Sequence, residues 1–423
     1  MYRKTVLDNG LRIVSEEIHH VRSVSIGIWV RCGSRDEDRF TNGTAHFIEH
    51  MLFKGTGTRS AYDIASAIDS IGGIVNAYTG KEITSFYMKV PDYHLCRAIE
   101  ILSDIFNNSL FDPSEIEKEK SVILQEICMI EDTPDEYVYD FFGEIFWNGH
   151  PLGLPVLGSR ETVSNLDRNG LLGFFNDKYR ADHIVVAATG NLKHDDLVKQ
   201  VENAFSGLKG GGNGVRSKAP TASSRIGVLG RDLEQVHLIM GTLGPSFTDP
   251  SRYSAYLMNA VLGGSMSSRL FQEIREKRGL AYSVHSYIVP YEEVGKFGVY
   301  VGMSEDKVKD VIGIVLSELD RIRTEYISDK ELHTAKEQIK GNFLLGMEST
   351  DSRMTRLAKN EIYFGRHFSP EETVENIEAV TREKIRTLAQ NLLGSATLSA
   401  AAVGRISEED IVLEPFGHGG LAE

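Results

Sequence analysis

TAHFIEHML, Thr44 to Leu52, and YSAYLMNAVL, Tyr253 to Leu262, read as the same piece of architecture written twice. Each is helix-like and follows a strand-like run, Ser23 to Val30 in the first case and Gln235 to Thr242 in the second. The two stretches share an apolar pattern and differ in chemistry. The first places His46 and His50 four residues apart with Glu49 between them, whereas the second has no histidine or carboxylate. On a helix of 3.6 residues per turn, His46 and His50 project about 40° apart from one face, as two imidazoles must to share one ion, and Glu49 lies about 60° from His46. Taken alone, the pair fits either a metal site or two packed core histidines with satisfied ring nitrogens.

The repeat extends outward. The helix-like stretches run from Gly43 to Lys54 and from Ser251 to Leu262, and late in each half comes a charged helix, EIEKEKSVILQEICMIEDT from Glu115 beside ELHTAKEQIKGNFLLGMEST from Glu331. The first of these, Ser114 to Glu131 after a Pro113-Ser114 start signal, spaces Ile116, Val122, Ile123, Ile127 and Ile130 at roughly helical intervals. Glu119 and Glu126 are nearly two turns apart, so both point the same way among apolar neighbours. Glutamates on a helix also fit a solvated charged face. The second copy argues for chemistry, because it has Ala335 and Asn342 at the matching positions and keeps the apolar pattern without the candidate ligands. Zinc in hydrolases usually takes three protein ligands and leaves a position for water, which makes this helix, with Glu119 and Glu126 on one side, the candidate source of the third ligand.

Between the halves, LKGGGNGVRSKAPTASSR (Leu208 to Arg225) is rich in Gly, Ser and basic residues and has no apolar period. It reads as a flexible tether and not a phosphate loop, since no GKS or GKT follows and no strand leads into it. The expected organisation is an N-terminal zinc-binding catalytic domain (1–208), a Gly/Ser-rich linker (209–225) and a homologous C-terminal domain without the zinc motif (226–423). Strands separated by short turns and alternating with helices predict an α+β fold, with helices packed on a mainly antiparallel sheet in each half.

HFIEH followed by Glu126, 126 − 50 = 76 positions beyond His50, resembles the inverted zinc-protease motif of the pitrilysin and insulinase family. NGLRIV (Asn9 to Val14), GSRDE (Gly33 to Glu37), HMLFKGT (His50 to Thr56) and GGIVNAYTGKEITSFY (Gly72 to Tyr87) carry the same resemblance. It covers essentially the whole chain and is closest to the branch of bacterial processing proteases and the mitochondrial processing peptidase beta subunit. The resemblance implies two homologous α+β domains per chain, with two chains enclosing a central chamber. It implies one zinc ion per chain held by His46, His50 and Glu126, with Glu49 as general base and Glu119 in a catalytic role without direct ligation. The strand ending in Asn76-Ala77-Tyr78 resembles the edge to which a substrate peptide is added, and Phe53 resembles a wall of the pocket beside the cut bond. In SSRLFQEIREKRGLAYSV (Ser267 to Val284), Arg275 and Tyr282 match a pair that contacts substrate carbonyls and the developing oxyanion.

Because the zinc motif and the Arg/Tyr pair share one chain, the expected assembly is a homodimer whose active sites are completed by the second domain of the partner chain. The expected activity is zinc-dependent endopeptidase cleavage of short or unfolded peptides, including basic, presequence-like ones. The competing expectation is a non-catalytic scaffold or a peptide-capturing partner subunit of a processing peptidase complex.

Composition agrees with a globular protein of more than one core: 423 residues, 41% of them hydrophobic. No apolar run approaches the roughly 20 residues that span a bilayer, and MYRKTVLDNGLRIV enters strand-like alternation without an apolar signal core, so a cytoplasmic location is expected. Cys32, Cys96 and Cys128 are scattered and lack CxxC spacing, which argues against a disulfide framework and fits a reducing compartment. Cys128, about 200° around the helix from Glu126, reads as core. The formal charge of −14 disfavours nucleic acid and would steer basic peptides toward an acidic interior.

Overall fold

The strand Ser23–Val30 is buried at every position after its first, a pattern that requires cover on both faces. The computed structural model, which describes residues 1–211, 219–394 and 397–413, shows where that cover comes from. The first sheet comprises β1 (Tyr2–Val6), β2 (Arg12–Glu17), β3 (Ser23–Val30), β4 (Ile74–Thr79), β5 (Thr84–Pro91) and β6 (Ile184–Gly190), in the order β1-β2-β6-β3-β5-β4. All of its pairings are antiparallel except β2 with β6. The second sheet comprises β7 (Ile226–Gly230), β8 (Val236–Gly244), β9 (Ala281–Pro290), β10 (Gly295–Met303) and β11 (Ser399–Gly404), in the order β7-β11-β8-β10-β9. Its one parallel pair, β7 with β11, falls where β2 pairs with β6. Apart from the extra β1 the two orders are the same, so the repeat seen in the sequence is a repeat of topology. The fold is α+β with two mainly antiparallel sheets.

Contact density divides the chain into two compact units, and neither is one uninterrupted run of sequence. One contains Met1–Met129, the described part of Leu154–Lys218, and Leu345–Phe368; the other contains Ile130–Gly153, Ala219–Leu344 and the described part of Ser369–Glu423. Each sheet therefore receives one helix encoded in the other half. Of the expected linker 209–225, residues 212–218 lie outside the described residues.

In the first unit, alternation along β3 sends Val24, Ile26, Ile28 and Val30 into a core shared with Phe47, Ile48, Met51 and Leu52 of the helix Thr44–Leu52. Trp29 points to the opposite face, where it packs with Val185, Ala187 and with Met354, Leu357 and Ala358 of the helix Thr350–Phe364. That helix is also held by polar contacts: Ser25 Oγ donates to Thr350 Oγ1 at 2.7 Å, Thr189 Oγ1 donates to the Thr350 carbonyl at 2.6 Å, and Arg353 pairs with Glu16 at 2.5 Å.

The second unit repeats this scheme. Val236, Leu238 and Met240 face one core, and Ile239 faces Val138, Phe142 and Phe146 of the helix Pro134–Trp147. Gly241 permits that approach, because a Cβ there would stand 2.7 Å from Phe142 Cζ. Among the cysteines, Cys32 is buried, Cys96 is exposed and Cys128 is half-buried, so Cys128 does not take the core position expected of it. The helical drift that turns it away from Glu126 brings it to the margin of the buried stripe and not to its centre.

Candidate metal centre

Nine residues from Thr44 to Leu52 form the helix that carries His46, Glu49 and His50. Its N-terminus is fixed from outside by Glu37. The buried Glu37 carboxylate accepts from the Gly43 N–H at 2.8 Å, the Ala45 N–H at 2.6 Å and Asn42 Nδ2 at 3.0 Å, satisfying donors that the first helical turn leaves open. Burial pushes its pKa up to about 7, against the pull of the Ala45, Gly43 and Asn42 hydrogen bonds. Gly43 has φ of 95°, and a Cβ there would meet the Leu157 carbonyl oxygen at 2.8 Å, so the entry to the helix requires glycine.

Two further residues of GSRDE have comparable tasks. A Cβ on Gly33 would stand 2.3 Å from the Gly80 carbonyl oxygen, and the fully buried Arg35 pairs with Glu82 at 2.5 Å. Both contacts pin the turn between β4 and β5 beside the start of the motif helix. Glu37→Ala would leave three donors unanswered at a buried helix end. It is expected to lower the free energy of unfolding by about 2 to 4 kcal/mol, measured by urea denaturation of the zinc-loaded protein.

The second contributor is the helix Pro113–Glu131. Its buried positions are Ile116, Glu119, Ile123 and Ile127, so Glu119 occupies a place in a stripe that is otherwise apolar. Val122, expected among the apolar set, is exposed because it lies off this stripe. Glu119 is held by two partners from the motif helix and the residues just past it: His50 Nδ1 at 2.9 Å and Lys54 Nζ at 2.6 Å. The contact fixes which His50 nitrogen is turned toward Glu126, an outer hydrogen bond of the kind that orients a metal-binding imidazole.

His46 Nε2 and His50 Nε2 both lie 3.8 Å from Glu126 Oε2, and one ligand atom from each of the three residues falls within 4.8 Å of the others. These gaps are too long for hydrogen bonds and close to the roughly 3.4 Å that separates ligand atoms on a tetrahedral ion with bonds of about 2.1 Å. Two imidazoles and one carboxylate form a zinc donor set that leaves one position open. Burial, reinforced by the neighbouring His50, lowers the His46 pKa to about 3, which keeps its ring in the neutral form that binds a metal. The donor set therefore fits a zinc ion.

Glu49 is not one of the three converging ligands. Its Oε2 accepts a hydrogen bond of 2.5 Å from Thr79 Oγ1 at the end of β4. Burial raises its pKa, with Thr79 and His50 pulling the other way and Glu126 adding to the rise. β4 ends the sheet, and among the described residues it pairs only with β5, which leaves its outer edge open to another strand. Asn76, Ala77 and Tyr78 lie on it, and Asn76 Oδ1 accepts from the Ala77 N–H at 2.8 Å. Phe53 follows the motif helix, is partly buried in the first core and stands 6.2 Å from the Phe86 ring.

All of these residues belong to one unit. Arg275 and Tyr282 belong to the other, where the Arg275 guanidinium lies 4.6 Å from the Tyr282 ring centroid and 4.9 Å from that of Phe271. Tyr282 is 77% exposed, and the short helix beneath Arg275, Phe271–Glu276, has π-type hydrogen bonding. The sequence reading missed Glu37, Lys54 and Thr79 as supports of the site. Each lay inside a quoted family word, but no local pattern disclosed its partner.

The structural repeat sharpens the contrast between the halves. In the helix Arg252–Leu262, Ala255, Leu257, Met258, Val261 and Leu262 are buried, as Ala45, Phe47, Ile48, Met51 and Leu52 are in the first. In that register Tyr256, Asn259 and Ala260 stand where the first copy has His46, Glu49 and His50.

An inverted His-x-x-Glu-His helix facing a distant glutamate, on a duplicated α+β frame, is the arrangement of an inverted-motif zinc peptidase site. Residues 12–160 match the family described as insulinase (peptidase family M16), and residues 165–339 match the peptidase M16 inactive domain. An uncharacterized zinc protease of Streptomyces coelicolor is 41% identical over 417 residues, 96% of this chain and 90% of the relative. One from Bacillus subtilis is 40% identical over 392 residues, 93% of this chain and 96% of the relative. Among solved structures, a peptidase M16 inactive domain from Pseudomonas fluorescens superposes with a TM-score of 0.90 at 19% identity, covering 98% of this chain and all of that one. A protease from Helicobacter pylori gives 0.88 at 19% identity, covering 96% and 99%. The chain belongs to the insulinase family, peptidase family M16. No helix among its described residues is long and apolar enough to cross a membrane.

Proposed function

We propose that this protein is a zinc-dependent endopeptidase acting on short or unfolded peptides. The observation that carries the reading is the convergence of His46, His50 and Glu126 with a fourth group, Glu49, held beside them by Thr79 and left out of the ligand set. A purely structural zinc site is usually closed by four protein ligands and needs no neighbouring base. When bound, one zinc ion per chain would lower the pKa of a water from about 15.7 to about 7.

The chain's own groups do the rest. Thr79 engages Glu49 Oε2, which leaves Oε1 to take a proton from the attacking water and deliver it to the leaving amine nitrogen. Glu119 holds the His50 ring through Nδ1, and Lys54 holds Glu119. The open edge of β4 receives the substrate as an added strand along Asn76, Ala77 and Tyr78, with Phe53 beside the cut bond. Arg275 and Tyr282 supply donors to substrate carbonyls and the oxyanion, each worth roughly 3 to 4 kcal/mol in the transition state.

With both motifs on one chain, the active form is a homodimer in which the partner's second domain completes each site, working in the cytoplasm. The acidic balance of the chain favours basic, presequence-like peptides.

The test is cleavage of an unstructured, arginine-bearing peptide beside a folded protein of similar composition. The peptide should be cut and the folded protein spared, with activity lost on chelation and restored by zinc. Mixing Glu49→Gln chains with Arg275→Ala chains should recover part of the activity that neither has alone, because one site in the mixed dimer is whole. Zinc-replete protein that cuts no peptide would favour the scaffold or capture reading, which the second half's lost ligand positions already illustrate.

A further inference from the structure

Thr79 occupies an unusual position in this site. It is the last residue of β4, and its hydroxyl is the group that engages Glu49. The Ala77 N–H donates to the Asn76 side chain and not across to β5, which places the Ala77 backbone on the open edge of the strand. Backbone groups alternate sides along a strand, so Thr79, two residues on, presents its own N–H and C=O to that same edge. Side chains two apart also share a face, and on that face Ala77 packs against the core that contains the motif helix. Thr79 thus faces an incoming strand with its backbone and Glu49 with its side chain. A β-branched residue has few χ1 choices in a strand, so the hydroxyl cannot leave Glu49 without cost unless the strand itself shifts.

We propose that Thr79 is a positioning residue that orients Glu49 for proton transfer and ties that orientation to the strand on which the substrate lies. The proposal rests on the peptidase reading above. Its hydroxyl fixes Oε2 and directs Oε1 to the water, and a peptide added at the β4 edge braces Thr79 in the same act. The alternative is a plain structural tie between strand and helix.

The two differ in the kinetic constant they affect. Thr79→Val keeps the branched shape and removes the donor, while Thr79→Ser restores a donor. The expected result for Thr79→Val is a fall in kcat of about 10- to 100-fold, the range produced by small misplacements of a reacting group, with KM and zinc content within about twofold of the parent. Thr79→Ser should regain most of the loss. In the zinc-loaded full chain labelled with ¹³C at glutamate carboxyl carbons, the Glu49 signal, assigned by its absence from Glu49→Gln, should move in Thr79→Val and stay in Thr79→Ser.

An unchanged kcat, a change confined to KM, equal losses in both variants, or an unmoved resonance would overturn the proposal. If the parent protein itself cuts nothing while holding zinc, the peptidase reading has failed, and the resonance still decides whether Thr79 orients Glu49.

Discussion

Glu49→Gln is expected to lower kcat by about 10²- to 10⁴-fold while leaving zinc content and folding unchanged. Metal binding and proton transfer fall to different side chains of the site. The atoms that converge for a metal come from His46, His50 and Glu126, and the amide of a glutamine at position 49 alters none of them. The amide oxygen can still accept from Thr79 Oγ1, so the contact between helix and strand survives. What is lost is a group able to take a proton, and neither of the site's other two carboxylates is free to replace it: Glu119 is committed to His50 and Lys54, and Glu126 to the ligand set. Peptide cleavage measured beside metal analysis on the same samples checks both halves of the expectation. Loss of zinc along with activity would place Glu49 among the ligands.

The ligand variants should behave in the opposite way. His50→Ala removes one of three donors and Glu126→Gln exchanges an anionic donor for a neutral amide oxygen, so zinc affinity should fall more than about 100-fold in each, beyond the 10- to 100-fold typical of changes to the groups that support a ligand. Activity at limiting zinc should disappear with the metal and return only in part at high zinc. Glu119→Gln tests the supporting class directly. It keeps an oxygen that can accept from His50 Nδ1 but loses the ionic contact with Lys54, and a drop of about 10- to 100-fold in zinc affinity or activity is expected. Competition with a chromogenic chelator measures all three. An affinity for Glu126→Gln equal to that of the parent would remove Glu126 from the centre.

Much of this site was legible in the residues because its chemistry is written on two helices. The four-residue spacing of His46 and His50 fixes their shared face, and the seven-residue spacing of Glu119 and Glu126 brings both carboxylates to the same side. Helical periodicity carries that information directly. Periodicity also placed Glu119 among apolar neighbours, and the structure explains the anomaly by a buried contact with His50 and Lys54.

The supports were not legible. Glu37 reaches the helix at Gly43 and Ala45 through a loop, and Thr79 reaches Glu49 across 30 positions of chain. Loops carry no period from which such meetings follow. The exchanged helices show the same limit. Val138, Phe142 and Phe146 on one, and Met354 and Leu357 on the other, announce that a face is buried. An apolar stripe states that it needs a partner but not which sheet will provide it, and here each stripe packs on the sheet of the opposite half.

The measurement that bears most directly on the central claim is cleavage of an unstructured, arginine-bearing peptide by the purified protein and by Glu49→Gln, with zinc determined on both. The expected result is cutting by the parent alone, with about one zinc per chain in each. If both hold one zinc and neither cuts any member of a varied peptide panel, the site is a bound ion without turnover, and the chain is a scaffold or a peptide-capturing subunit.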